Sequence, residues 1–399
     1  MFRQGGWLPQ DHRIHQQWMK KTIEHVDANP TEYDPVIKEL QVLIEDNTRI
    51  RLLVNSMFDQ IPTKKPYSKN PSGEYQVRDH VHMLNMMNHL ITTAPCYSER
   101  EHRVGLVGLP FHAIFDWPMG TASGFALFQD PEFNKVLKKV LDKWGKFLSS
   151  PESAYVMGDH NEGWLGKYGK ADLMDVANDA ADKQLSFEET YNCDPKAKNH
   201  GFKSWDDFFT RTYKEGLRPV ASPDDDSVIA NACESKPYKI AHHVKARAKF
   251  WIKGQPYSVK DMLDDDELAH HFVGGTIYQA FLSALSYHRW HSPVSGKIVK
   301  TKLLGGSYYS EPPYTAFLDE QGISKDGQTQ AQEYLTCMAT RGVMFIEADN
   351  KDIGLICVLA VGMVEVSTCD ITVKEGQHVK KGDELGMASQ LIFIIYPAC

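Results

Sequence analysis

Apolar positions recur every three or four residues through the first half of the chain, and in short runs or alternation through the second. In YDPVIKELQVLIEDNTRIRLLVNSMFDQIP (33–62), Ile37, Leu40 and Ile44, then Ile50, Leu53 and Met57, keep helical spacing. Asp34 supplies an N-cap side chain. Pro35 suits the first helical position, where no backbone N–H is needed. Pro62 and the polar run TKKPYSKNPSGEY end this segment. DPEFNKVLKKVLDKWGKFLSSP repeats the plan: Asp130 caps, Pro131 starts, and Phe133, Val136, Leu137, Val140 and Trp144 form one face. Ser149-Ser150-Pro151 stops it.

The pattern changes after about residue 220, past the turn-rich RPVASPDDDS. The runs SVIANA, AKFWIK, GKIVKTKLL, VMFIEAD, IGLICVLAVGMVEVST and CDITV read as strands separated by Gly, Asp, Asn and Pro. DNKDIG (349–354) fits a hairpin connection. Residues 305–332, with Tyr308, Tyr309, Tyr314 and Phe317, form a long loop, and loops of that length in compact domains are usually functional or disordered. The pattern predicts an α+β chain, a helical N-terminal region followed by a β-rich domain. VKKGDELGMASQLIFIIYPAC then leaves an atypical apolar tail over 388–399.

Composition narrows the function classes. Of 399 residues, 42% are hydrophobic and 24% charged, with a formal net charge of -8. An acidic chain with scattered lysines and arginines argues against a nucleic-acid partner. Seven cysteines without a CxxC suit reduced thiols better than a disulfide framework. The N-terminus lacks the apolar core of a signal peptide, and no window approaches the roughly 20 apolar residues that cross a bilayer. The expectation is a cytoplasmic protein with no integral membrane segment.

The most informative stretch is GGTIYQAFLSALSYHRWHSPVSGKIVKT, where His288 and His291 flank Arg289 and Trp290. On a helix, this spacing would put both imidazoles on one face. Pro293 argues that the segment turns there. Alone, the pair reads first as structural histidines at a turn, and it is weak as a zinc motif because HExxH lacks its Glu here. The pairs at His80/His82, His242/His243 and His270/His271 have no partnering pattern, and no metal is expected.

Four segments in order give this pair its context: FFTRTYKEGLRPV (208–220), WIKGQPYSVKDML (251–263), the SYHRWHSPVSG stretch and GQHVKKGDELG. They resemble the FFxRxxKxGxRP, KGxxYS, YHRxHxP and V-x-KGDE-x-G segments of phosphatidylserine decarboxylases, over about residues 200–387. The N-terminal segments GWLPQDHR and FNKVLKKVLDKWGKFLSS are similar to the extra domain of a soluble fungal branch that contains L-tryptophan decarboxylase. The resemblance implies bounds of 1–200 for the helical N-terminal region and 201–387 for the β-rich domain. It also implies a carboxy-lyase that uses a pyruvoyl group and no pyridoxal phosphate. In this family a serine attacks the preceding glycine carbonyl, and the resulting ester eliminates. The ketone so formed is an electron sink for decarboxylation. By the same resemblance, His291 is the base for self-cleavage and His288 the acid/base of decarboxylation. Glu234, in NACES, falls where the family has an orienting Asp. Arg289 fits a role in fixing the backbone or a carboxylate.

The reactive serine itself is the departure. Relatives follow KGDE-x-G with F-x-F-G-G-S, but Ile392 and Phe393 stand where the Gly-Ser pair falls, and Ser389 comes early and follows alanine. Gly306-Ser307 reads as a turn. A truncated or frameshifted tail, a pseudoenzyme and another activation route are the competing explanations. The expected substrate is a small aromatic amino acid such as L-tryptophan, with phosphatidylserine, or a catalytically inactive scaffold, as alternatives. GQHVKKGDELG also resembles a lipoyl or biotinyl carrier hairpin, but the M-K-M or D-K-A lysine turn is missing.

Overall fold

The computed structural model describes residues 12–61, 77, 79–97, 109–181, 184–249, 257–283, 285–310, 312, 331–387 and 391–397. Outside them lie Tyr314, Phe317 and most of the long loop, the start of the Trp251–Leu263 motif, the polar run after Pro62, and Ala388 to Gln390. The chain forms two compact units. One comprises Met1–Asp172, Cys193–Phe208 and Tyr309–Gln330; the other comprises Leu173–Asn192, Phe209–Tyr308 and Ala331–Cys399.

The first unit is helical. Asp34 accepts a hydrogen bond from the Val36 amide at 3.1 Å and opens the helix Pro35–Asp46, which buries Ile37, Leu40 and Ile44. The expected continuous periodicity breaks at Asn47. Its backbone is extended, and its side chain accepts from the Ile50 amide at 3.2 Å to start a second helix, Thr48–Asp59. The break shifts the helical phase, so Val54 is buried while Leu53 is only half-buried. The helix Pro131–Leu148 follows the sequence closely. Asp130 caps it with two 3.0 Å bonds, and Phe133, Val136, Leu137, Val140 and Trp144 are buried. Among the described residues, no helix is long and apolar enough to cross a membrane.

A carboxyl on a buried helix of this unit is perturbed by its surroundings. The helix Pro110–Met119 is buried almost all round, and Asp116 on it faces a small cleft lined by Met19, Ala113, Ile114 and Trp117. His112 Nε2 lies 3.6 Å away. Burial pushes the Asp116 carboxyl up from 3.8 to about 7, although 17% of the side chain stays open.

The second unit holds two antiparallel sheets. Its strands are β1 (Lys236–His242), β2 (Thr276–Phe281), β3 (Arg289–His291), β4 (Gly296–Leu304), β5 (Arg341–Ala348), β6 (Leu355–Val361), β7 (Asp370–Ile371), β8 (His378–Val379), β9 (Glu384–Met387) and β10 (Leu391–Tyr396). Seven form one sheet in the order β1-β2-β10-β6-β5-β4-β8, and three form the other in the order β3-β9-β7. Trp290, Ile298, Met344, Ile346, Ile356, Val358 and Leu385 lie in their shared core. DNKDIG joins β5 to β6, with Gly354 at φ +67.

Several elements depart from expectation, among them SVIANA, β1 and LIFIIY, and β2 and β3 also form strands that the pattern did not single out. SVIANA is irregular, not a strand. The strand β1 went unread because KPYKIAH is mostly exposed and carries Pro237, as edge strands do. LIFIIY, set apart as a tail, is β10, paired on one side to β2 and on the other to β6. Unbroken apolar runs are what a strand buried on both faces needs.

Two predictions follow from these packings. A Cβ at Gly386 would lie 2.1 Å from the Asp370 carbonyl oxygen and 2.6 Å from the Trp290 ring. Gly386→Ala should therefore cost at least about 1–3 kcal/mol, read as a lower urea midpoint. The second concerns Asp116, whose raised value means that the fold favours the protonated acid. That contribution is complete below about 3.9, the unfolded value, and is lost as pH rises through about 7. Asp116→Asn should remove this decline across the same window, seen in urea midpoints measured from pH 4 to about 8.

Candidate active site

The two motifs nearest the expected chemistry are paired strand to strand. In β3 and β9, Arg289 lies opposite Met387, Trp290 opposite Gly386 and His291 opposite Glu384, with an irregularity between Trp290 and His291. The Arg289 guanidinium donates to Glu384 Oε2 at 2.7 Å and, through Nε, to the Thr210 carbonyl at 2.8 Å. The HRWH segment is thus tied both to the KGDELG run and to the FFTRTYKEGLRP run.

A strand changes how the two histidines relate. Burial alternates through the segment: His288 and Trp290 are fully buried, and Arg289 and His291 are half-buried. His288 precedes β3 and a register shift separates Trp290 from His291, so the segment is not helical and the one-face arrangement of a helical HxxH does not arise. His288 stacks on Phe209, the ring centroids 4.0 Å apart and the planes at 23°.

His291 sits at one end of a line of rings. It stacks on Tyr287 at 5.8 Å and 12°, Tyr287 stacks on Tyr213 at 4.3 Å and 26°, and Tyr213 on Tyr191 at 5.1 Å and 17°. Arg218 lies 4.4 Å over the Tyr213 ring, and Arg211 lies 4.5 Å over that of Tyr191. Cations over aromatic faces are held by the ring quadrupole and hold the rings in turn. Burial pushes the Tyr287 phenol up to about 12. Burial also raises Tyr213, and the neighbouring Tyr191 and Glu234 add to the rise, so its hydroxyl keeps its proton and remains a donor.

Glu234 receives that proton donor. Its Oε2 accepts from the Tyr213 hydroxyl, and its Oε1 accepts from Arg218 Nε. Burial works against the Arg218 charge, but Glu234, Tyr213 and Tyr191 together outweigh it and the guanidinium is held more firmly protonated than usual. The NACES segment does lie along the histidine strand, since the His291 amide donates to the Ala232 carbonyl at 2.7 Å. Yet the hydrogen bonds of the Glu234 carboxylate go to Tyr213 and Arg218, while His291 Nδ1 lies 2.8 Å from the Gly382 carbonyl oxygen. The sequence pattern therefore brings Glu234 and His291 into one neighbourhood and gives them different hydrogen-bond partners.

The remaining candidates are placed as follows. Ser307 donates to the Met338 carbonyl through both its amide, at 2.7 Å, and its hydroxyl, at 3.1 Å, in a bridge with Ala339. Ile392 and Phe393 have backbones paired on both sides, to Ala280 and Ala360 and to Gln279 and Leu359. Among the described residues, no group of three or more His, Cys, Asp or Glu is arranged to hold a metal ion. Sequence reasoning passed over Tyr213, Tyr287 and Gly382. All three lie inside segments whose pattern was noted, but a pattern does not say which of its positions touch.

Two models of the phosphatidylserine decarboxylase family match the chain, over residues 34–173 and 205–390. A decarboxylase of Amanita muscaria, iboD, is 48% identical over 70% of this chain and 80% of its own length. The L-tryptophan decarboxylase of Psilocybe cyanescens is 35% identical over 97% of this chain and 86% of its own. Phosphatidylserine decarboxylase proenzyme 3 of Schizosaccharomyces pombe is 32% identical over 47% of this chain and 18% of its own. This chain belongs to the phosphatidylserine decarboxylase family of carboxy-lyases, within the fungal branch that includes the L-tryptophan decarboxylases.

Proposed function

We propose that the fold is built to decarboxylate a small aromatic amino acid of the tryptophan type. The observation that carries this reading is the extent of similarity. It runs over 97% of the chain to an L-tryptophan decarboxylase but over only 47% to the fission-yeast phosphatidylserine decarboxylase. On this reading the β-rich domain from residue 201 carries the chemistry. By the family resemblance, His291 stands where relatives have the base that activates their self-cleaving serine. His288, in its apolar setting against Phe209, is the acid/base of the decarboxylation step.

The pyruvoyl group of the family does not fit the residues present. Its glycine and serine precursors are replaced by Ile392 and Phe393, whose backbones are engaged in a strand. No step in this chain is therefore routed through that group. A catalytically inactive homologue is the second reading, and the same substitution favours it. The family's substrates divide into free amino acids and phosphatidylserine, and a substrate panel separates the two.

The chain as it stands should remain a single species near 45.3 kDa by intact-mass spectrometry. A fragment beginning at residue 307 would overturn the site assignment. A variant in which the residues after Gly386 are replaced by an F-x-F-G-G-S segment and its continuation should cleave itself and release carbon dioxide from tryptophan, tyrosine or phenylalanine. Release from phosphatidylserine alone would sink the amino-acid reading. In that background His291→Ala should block cleavage. His288→Ala should leave cleavage intact and slow decarboxylation about 100-fold or more, the usual size of a lost general acid or base.

A further inference from the structure

The geometry points to the Gly382 carbonyl as the group that orients His291, in the position where a catalytic triad has a carboxylate. This inference rests on the reading of His291 as the proton-accepting residue, and it makes Gly382 a positioning residue for it.

The argument begins with the acceptor. A carbonyl oxygen has lone pairs and no proton, so a ring nitrogen bonded to it must be the donor. At 2.8 Å from the Gly382 oxygen, His291 Nδ1 therefore carries the hydrogen. In the neutral ring the lone pair then lies on Nε2, which is the form a general base needs. This is the work Asp performs in a Ser-His-Asp triad. Here the carboxylate available for it, Glu234, has its hydrogen bonds to Tyr213 and Arg218.

The Gly382 carbonyl is held by backbone on every side. The Asp383 amide donates to the Lys380 carbonyl at 3.0 Å, closing a four-residue turn in which Gly382 is third. Its φ of +92 is the value that position of a type II turn requires. The Asp383 carboxylate accepts from the Lys380 amide at 2.8 Å. The turn is then stitched to the histidine strand by reciprocal bonds: Gly382 N–H to the Ser292 carbonyl at 2.8 Å, and Ser292 N–H to the Asp383 carbonyl at 2.7 Å. Lys381 anchors the same turn through Nζ, which donates to the carbonyls of Asp225 and Val228 at 2.7 and 2.9 Å. A Cβ at position 382 would come within 2.2 Å of Val220 Cγ2, so only glycine fits both the conformation and the space.

A backbone acceptor also differs from a carboxylate in charge. It fixes the ring and its tautomer without adding a negative charge beside it. The nearby carboxylates have other partners: Glu234 is paired with Arg218, Glu384 with Arg289, and Asp383 accepts from the Lys380 amide. The ring is thus clamped in-plane by Gly382 and across its face by Tyr287.

The test reads the tautomer directly, in the full chain, by long-range proton–nitrogen NMR of histidine-labelled protein. The His291 signals are identified by their loss in His291→Gln. The expected result is an Nδ1–H tautomer in the unaltered chain that persists in Glu234→Gln. It should be lost in Gly382→Ala combined with Val220→Ala, while Val220→Ala alone retains it. An Nε2–H tautomer in the unaltered chain overturns the inference without any glycine variant, so a failure of the double variant to fold does not shelter it. Loss of Nδ1–H on Glu234→Gln with retention in the glycine variant also overturns it, in favour of the carboxylate. Because the readout needs no turnover, it fails or succeeds separately from the decarboxylation assay.

Discussion

The antiparallel pairing of Arg289–His291 with Glu384–Met387 is the contact on which the rest of the candidate site depends. It joins two segments about ninety residues apart in sequence, and it leaves little freedom in how they meet. Gly386 must lack a side chain because the Trp290 ring and the Asp370 carbonyl occupy its space. Trp290 is then fully buried, while Arg289 and His291 on either side of it are half-buried. Arg289 carries the arrangement outward by bonding both Glu384 and the Thr210 carbonyl. The motif glycines and the motif histidines are thus parts of one packing unit.

Around that pairing the electrostatics are arranged at one remove from the histidine. Glu234 and Arg218 are each about one-fifth exposed, so their attraction is less screened than that of a surface pair and less costly to desolvate than a fully buried one. Their shared partner is Tyr213, which accepts the Arg218 cation on its face and donates its hydroxyl to the Glu234 anion. The ring is therefore fixed in both orientation and hydrogen bonding, and Tyr287 and His291 stack in sequence upon it. Removing the Glu234 charge would loosen the Tyr213 ring on which Tyr287 stacks and leave Arg218 uncompensated. That gives Glu234 a structural influence on His291 without a direct bond between them.

Much of this architecture was legible in the sequence, and the gaps have physical causes. The helix Pro131–Leu148 was readable because cap, first-turn proline and apolar stripe all agree. The break at Asn47 was not, because Asn is tolerated within a helix and is also a good cap, and periodicity continues on both sides of it. The histidine segment was readable as chemistry but not as geometry, since H-x-x-H has opposite meanings on a helix and on a strand. The Gly382 carbonyl could not be read at all. Main-chain atoms carry no residue-type signal, and only the glycine in KGDE hints that the turn there is special.

The strand β10 places a constraint on any route to a reactive serine in this chain. Ile392 and Phe393 lie inside a ladder with neighbours on both sides, and their backbone groups serve that ladder. A hydroxyl attack on the preceding carbonyl requires that carbonyl to be polarised and reachable, whereas a carbonyl bonded within a central strand is shielded by its neighbours. Exchanging two side chains for glycine and serine would add the nucleophile and leave the backbone where it is. Glycine would also weaken the strand between β2 and β6, inside the seven-stranded sheet. A glycine and serine at these positions would have to serve the strand ladder as well as react.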